Sequence, residues 1–186
     1  MRSTHKTRSF GECEFTAKFG LDQNMISFKG RHFEKTPILM SIRWYLAYAL
    51  GYRDIEELML ERGVNVDHST VNRWVVKYSP KLESQFCNHH KKKVGSSWRM
   101  DETYILIKGV WHYLYRAVDK SGDTINIVEQ DHRFIKKITK PMMGFKSFNS
   151  ASATLSGIEL HHMLRKGQHK NTANMAFFEQ FNSLAA

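Results

Sequence analysis

The hydrophobic period changes partway along the chain, and that change limits the architectures open to it. From Pro37 the apolar residues Ile38, Leu39, Ile42, Tyr45, Leu46 and Ala49 recur at helical spacing, with Thr36 as N-cap, Pro37 at the first helical position and Gly51 as a stop. A second helix over about Arg53–Arg62 buries Ile55, Leu58 and Met59, carries Glu56 and Glu57 outward and ends at Gly63. A third, over about Ser69–Tyr78, sets Val71, Trp74, Val75 and Tyr78 at i, i+3, i+4 and i+7 and stops before Pro80. Beyond Trp98 the runs become β-branched and aromatic. They read as Trp98–Lys108 and Val110–Val118 about a turn at Gly109, then Thr124–Val128 after a turn at Lys120–Gly122. The fold class is α+β: helices first, an antiparallel meander after them, and further helices at the C-terminal end.

The 186 residues, 41% of them apolar, suffice for one large domain or two small ones with a buried core. The richest apolar run, Ile38–Leu50, is broken by Ser41 and Arg43, which argues against a membrane span. Cys13 and Cys87 belong to no CxxC pair; a disulfide scaffold or a thiolate zinc site is disfavoured, and a reducing cytoplasm fits best. Lys and Arg number 28 against 18 Asp and Glu, and the resulting net charge of +10 suits a polyanionic partner.

These patterns divide the chain into an irregular arm (1–36), a helix-turn-helix unit (37–80), a basic linker (81–97), a mixed domain (98–170) and a weakly ordered tail (171–186). The polar side of the third helix carries Thr70, Asn72, Arg73 and Lys77. Asn can read adenine and Arg guanine through paired hydrogen bonds in the major groove. Lys91, Lys92 and Lys93 in the linker could follow a phosphate backbone. A three-helix cluster with one charged face is also common in proteins that touch no nucleic acid, so pattern alone leaves both readings open. The histidine pairs His89–His90 and His161–His162 lack ligand-spaced partners and read as solvated. Trp111, Tyr113 and Tyr115 read as core of the meander, or as a base-stacking surface if the chain is an RNA-binding protein.

Asp101 lies in a strand otherwise rich in apolar and aromatic residues, a costly position for a carboxylate unless it binds a metal or finds a partner. The strings SFKGRHF, SIRWYLAY, YRDIEELMLERGVNVDHSTVNRWV, GSSWRMDETYI, YLYRAVDKSG, EQDHRFIK and GFKSFNSASATLSGIE, taken in order, resemble a transposase of bacterial insertion-sequence family six, a DDE recombinase. The resemblance implies a DNA-binding helix-turn-helix followed by a ribonuclease-H-like catalytic domain. It also implies three carboxylates holding two divalent metals, normally Mg2+, for phosphoryl transfer. Asp101 matches the first and Glu129 the third.

The second has no counterpart. In the family several dozen residues carrying it lie between the Ala-Val-Asp-Lys-Ser-Gly strand end and the Glu-Gln-Asp-His-Arg helix; here Ile125-Asn126-Ile127-Val128 joins the two directly, and Asp119 and Asp123 match strand ends. With strands paired about Gly109 and Ser121, Asp101 lies opposite Ala117 and Ile125, and its separation from Glu129 is on the order of 16 Å. Ligands of one magnesium each bring an oxygen to about 2 Å. The expectation is an internally deleted, truncated DDE domain that no longer joins DNA and does not hold Mg2+ productively. The alternative is a repressor or dominant-negative protein occupying transposon ends. The expected partners are double-stranded DNA and, through an unpaired strand edge, a second copy, with no membrane; the expected location is the cytoplasm, at the nucleoid.

Overall fold

The computed structural model describes residues 26–28, 32–92, 97–119, 124–126, 132–141, 144–170 and 175–185. Helices α1 (Lys35–Ala47), α2 (Tyr52–Leu60) and α3 (His68–Gln85) come first, and α3 runs on into a π-helical turn, Phe86–His90. Strands β1 (Trp98–Ile107), β2 (Val110–Asp119) and β3 (Thr124–Asn126) form an antiparallel sheet in the order β1-β2-β3, followed by α4 (His132–Thr139), α5 (Phe148–Arg165) and α6 (Phe177–Ser183).

Helix α2 ends as its sequence implies. Gly63 takes φ +76°, and its N–H and that of Val64 bond back to Leu60 and Met59, closing a Schellman turn. Helix α1 departs from expectation at both ends. It starts at Lys35 with Glu34 as the N-cap residue rather than Thr36, and stops at Tyr48, leaving Gly51 to precede α2. Helix α3 passes through Pro80 instead of stopping before it. A proline inside a helix costs about 3 kcal/mol. Burial of Leu82 and Phe86 beyond it, both fully inaccessible, offsets that cost and overrides the local breaker. Lys81–His90 are therefore helical rather than a connector. The end of this helix is clasped to the C-terminal segment: Lys91 bridges His169, Lys92 N–H bonds to Gln168 O at 2.8 Å, and Lys170 N–H to His90 O at 2.7 Å.

Helix α5 organises the core. Its buried residues include Ala151, Thr154, Gly157, Ile158, His161 and Met163, so it is covered on nearly every side, as befits a helix with no wide polar face. α1 and α3 both pack on it, and Gly157 allows a close approach: a Cβ there would stand 2.5 Å from Leu46 Cδ2 and 3.0 Å from Ser79 Cβ. Ile42, Ile55, Val75, Ile158 and Phe181 thus belong to one continuous apolar cluster, which draws on both halves of the sequence. The segment before α1 joins it as well, Phe28 stacking on Tyr78 at 4.9 Å and Phe33 meeting Trp74 edge-on at 5.2 Å. The expected weak tail is likewise corrected. α6 buries Phe181, and Leu184 and Ala185 follow it into the core.

The sheet register differs by one residue from a pairing about Gly109 alone. Lys108 and Gly109 both have positive φ (51° and 77°), the backbone of a two-residue type I′ hairpin turn, so Ile107 faces Val110 and Asp101 faces Arg116 rather than Ala117. Ala117 faces Asn126, and the ladder shifts between Ala117 and Val118. The outer edge of β1 is not bare near the turn. Phe145 bridges Ile107 in parallel, its N–H and C=O bonding to Leu106 O and Lys108 N–H, each at 2.8 Å.

Candidate nucleic-acid interface

The turn from α2 to α3 is held by side chains of both. Asp67 caps α3, accepting from Ser69 N–H at 3.0 Å and from the Ser69 hydroxyl, whose bond holds the Asp67 carboxyl below the usual carboxylate range. Glu56 on α2 accepts from the backbone N–H of His68 at 3.1 Å and contacts its Nδ1 at 2.9 Å; His68 Nδ1 also lies 3.1 Å from Asp67. Glu56 is thus half-buried and structural rather than merely outward-facing. The Asp-His-Ser string marks the cap, but nothing in sequence pairs it with a residue twelve positions earlier.

Beyond this cap α3 presents Thr70, Arg73 and Lys77 along one side, and Arg73 and Lys77 are exposed. Arg73 Nη2 donates to Thr70 Oγ1 at 2.7 Å, which orients the guanidinium, and Lys77 Nζ lies 5.5 Å from the centre of the Tyr78 ring. Asn72 is turned partly inward. Its side-chain oxygen is buried and has no hydrogen-bond partner among the described residues, so it is less available to a groove than its neighbours. Lys91 and Lys92 sit at the clasped end of the π turn, and Lys93 lies outside the described residues.

The carboxylates assigned by resemblance fall elsewhere. Asp101 lies on β1 opposite Arg116, its side chain outside the described set, and Glu129 lies outside the described residues. Among the described residues one group of acid and imidazole ligand atoms, Glu56, Asp67 and His68, converges within 4.8 Å. Its oxygens already accept the hydrogen bonds that cap α3, so the group fits a helix cap better than a divalent cation.

Two other expectations are corrected here. Trp111 and Tyr113 are 64% and 58% exposed, and Tyr104 beside them is 51% exposed, its ring 4.8 Å from that of Tyr113; they are surface residues and not core. The side chain of Tyr115 lies outside the described set. His161 and His162 are buried and not solvated, and the His161 ring meets that of Phe177 on α6 edge-on at 4.8 Å.

Residues 95–128 and 124–168 match the DDE domain of IS240-type transposases. The similarity is to insertion-sequence transposases that carry this domain. It is 48% identical over 120 residues to the transposase for insertion sequence-like element IS431mec of Staphylococcus aureus (strain Mu50), covering 61% of this chain and 53% of that protein. The same figures hold for the transposase for insertion sequence element IS257 in transposon Tn4003 of Staphylococcus aureus. An uncharacterized protein of Yersinia pseudotuberculosis, pYV0051, is 42% identical over 52 residues, 24% of this chain and 49% of that protein. The chain spans about half the length of the transposases it matches. No solved structure matches it. No helix among the described residues is long and apolar enough to cross a membrane.

Proposed function

We propose that this chain is a DNA-binding remnant of an insertion-sequence transposase, gripping transposon-end duplex DNA without joining it to a target. The observation that carries this reading is the side of α3 bearing Thr70, Arg73 and Lys77, on a helix tied to α2 by the Glu56, Asp67 and His68 contacts, in a chain whose relatives are transposases. In this reading α2 and α3 are a helix-turn-helix and α3 enters the major groove. Arg73, oriented by Thr70, reads a base edge, Asn72 supports the helix and adds what contact its buried amide allows, and Lys77 with Lys91, Lys92 and Lys93 neutralises phosphates.

The catalytic half is read as incomplete. The DDE match comes in two pieces that meet at residues 124–128, where the chain passes from β3 to Glu129 without the stretch that would bring a second aspartate. Mg2+, where a complete DDE centre holds it, activates the attacking hydroxyl and stabilises the leaving oxygen. Asp101 and Glu129 are the residues here that would contribute to such a centre, and two carboxylates without the third do not hold it productively. Such a chain acts in the cytoplasm on nucleoid DNA. A protein that occupies ends without processing them competes with an intact copy.

A gel shift on the inverted repeats flanking the reading frame tests the first half. Arg73→Ala is expected to weaken binding by about 1–3 kcal/mol, and a variant that binds as tightly as the parent removes α3 as the reading helix. Magnesium-dependent joining of end DNA by the purified chain would overturn the second half.

A further inference from the structure

A cleft of about 550 Å³ opens between α1, the end of α5 and α6, and no residue of α3 lines it. Arg43 from α1 and Arg165 from α5 both line it, together with His161 and Gln180, and no carboxylate is among the described lining residues. Arg43 is held in place rather than free to swing out: its guanidinium carbon lies 5.4 Å from the centre of the Phe178 ring. Its Nε is nevertheless buried without a hydrogen-bond partner among the described residues. Leaving a guanidinium donor buried and unused is costly, more so than for a neutral group. The amide of Gln180 is half committed, its Nε2 donating to Met175 O at 2.9 Å while its oxygen is buried without a partner among the described residues.

We propose that this cleft is a phosphate-binding site, in which Arg43 and Arg165 clamp a phosphate group of a nucleic acid or of a free phosphate compound. Arginine suits the task because its planar fork offers paired donors to phosphate oxygens. His161 is 3% exposed; burial first, then the charges of Arg165 and Arg43, push its imidazole down to about 4. At neutral pH it therefore adds a hydrogen-bonding group without adding a third positive charge to the empty cleft. Phe177 and Leu164 wall the cleft with apolar surface, which lowers the local dielectric and strengthens the attraction between guanidinium and anion. The site stands independently of α3, since it requires none of Thr70, Arg73 or Lys77.

The full chain is titrated with inorganic phosphate, with a short single strand bearing a 5′-phosphate, and with the same strand bearing a 5′-hydroxyl, reading heat of binding and thermal midpoint. Saturable binding of one or more of these is expected, weakened on the order of tenfold by Arg165→Gln and by Arg43→Gln, the loss of one charge-assisted contact each. Equal response to inorganic phosphate and to the strands assigns the site to free phosphate. Preference for the 5′-phosphate assigns it to a strand end, and equal binding of both strands without inorganic phosphate assigns it to backbone phosphodiesters. Arg165 is exposed, so its variant keeps the test open if Arg43→Gln fails to fold. Absence of binding by all three probes, or variants that fold and bind as the parent does, overturns the site. An Arg73→Ala control separates the two readings, since it alters duplex binding at α3 and leaves inorganic phosphate binding at the cleft unchanged.

Discussion

Gly157 is a point at which the two halves of the sequence approach closely, and substituting it by alanine measures that approach. The new methyl group would sit 2.5 and 2.7 Å from the two δ-carbons of Leu46 and 3.0 Å from Ser79 Cβ. Carbon atoms prefer about 3.5–4.0 Å, so a displacement of about 1 Å is required. Leu46 and Ser79 are both fully buried, on α1 and α3 respectively, and neither can yield toward solvent. Overpacking of this kind costs about 1–3 kcal/mol, whereas replacing glycine by alanine inside a helix gains about 1 kcal/mol. The net expectation is a loss of up to about 2 kcal/mol, visible as a lower urea midpoint at unchanged slope when unfolding is followed by circular dichroism. Leu46→Ala alone should cost about 2–5 kcal/mol. Combined with Gly157→Ala it should cost less than the sum of the two, because the new methyl enters space that the leucine has left. A Gly157→Ala variant more stable than the parent, or two substitutions that simply add, would show that α1 and α5 do not meet as described.

Four further outcomes follow from other parts of the molecule. Because His161 binds its proton near 4 when folded and near 6.5 when unfolded, the unfolded state takes up more protons between those values. Stability should be undiminished above pH 6.5 and fall by up to about 3 kcal/mol as pH drops to 4; a His161→Gln variant should lose that part of the pH dependence in acid-titrated urea melts. Asp67→Ala should lower stability through loss of the α3 cap, measured by chemical denaturation at pH 7. The cap's contribution is present above the ordinary aspartate range and disappears as pH falls through the lowered folded value. Phe181→Ala should cost about 3–5 kcal/mol and lower the thermal midpoint of the helical core, which a merely disordered tail would not do. Replacing Trp111 and Tyr113 by threonine should reduce concentration-dependent association in sedimentation if the exposed aromatic face of the sheet is where copies meet.

Several elements are legible in the sequence, each for a local reason. The apolar period defined α1 and α2, Gly63 marked the stop of α2 because only a left-handed residue closes a Schellman turn cheaply, and β-branched and aromatic runs marked the three strands. Leu155, Ile158, Leu160 and Met163 recur along one stretch of α5 and are all buried. Motif strings likewise identified the transposase relationship and placed Asp101 on a strand.

What escaped the sequence was which surface covers which. Pro80 reads as a breaker because its cost is local, while the burial of Leu82 and Phe86 that outweighs it comes from contacts with distant segments. A two-residue turn at Lys108–Gly109 and a single-residue turn look alike in composition, yet the choice moves Asp101 from Ala117 to Arg116. Trp111 and Tyr113 have the composition of a core and the exposure of a surface, and Arg43, His161 and Arg165 share a cleft only because α1, α5 and α6 converge. The chain alone settles the type and order of its elements, since backbone preference and side-chain period act over a few residues. Burial and the meeting of charged groups depend on segments far apart in sequence, and only the packed structure decides them.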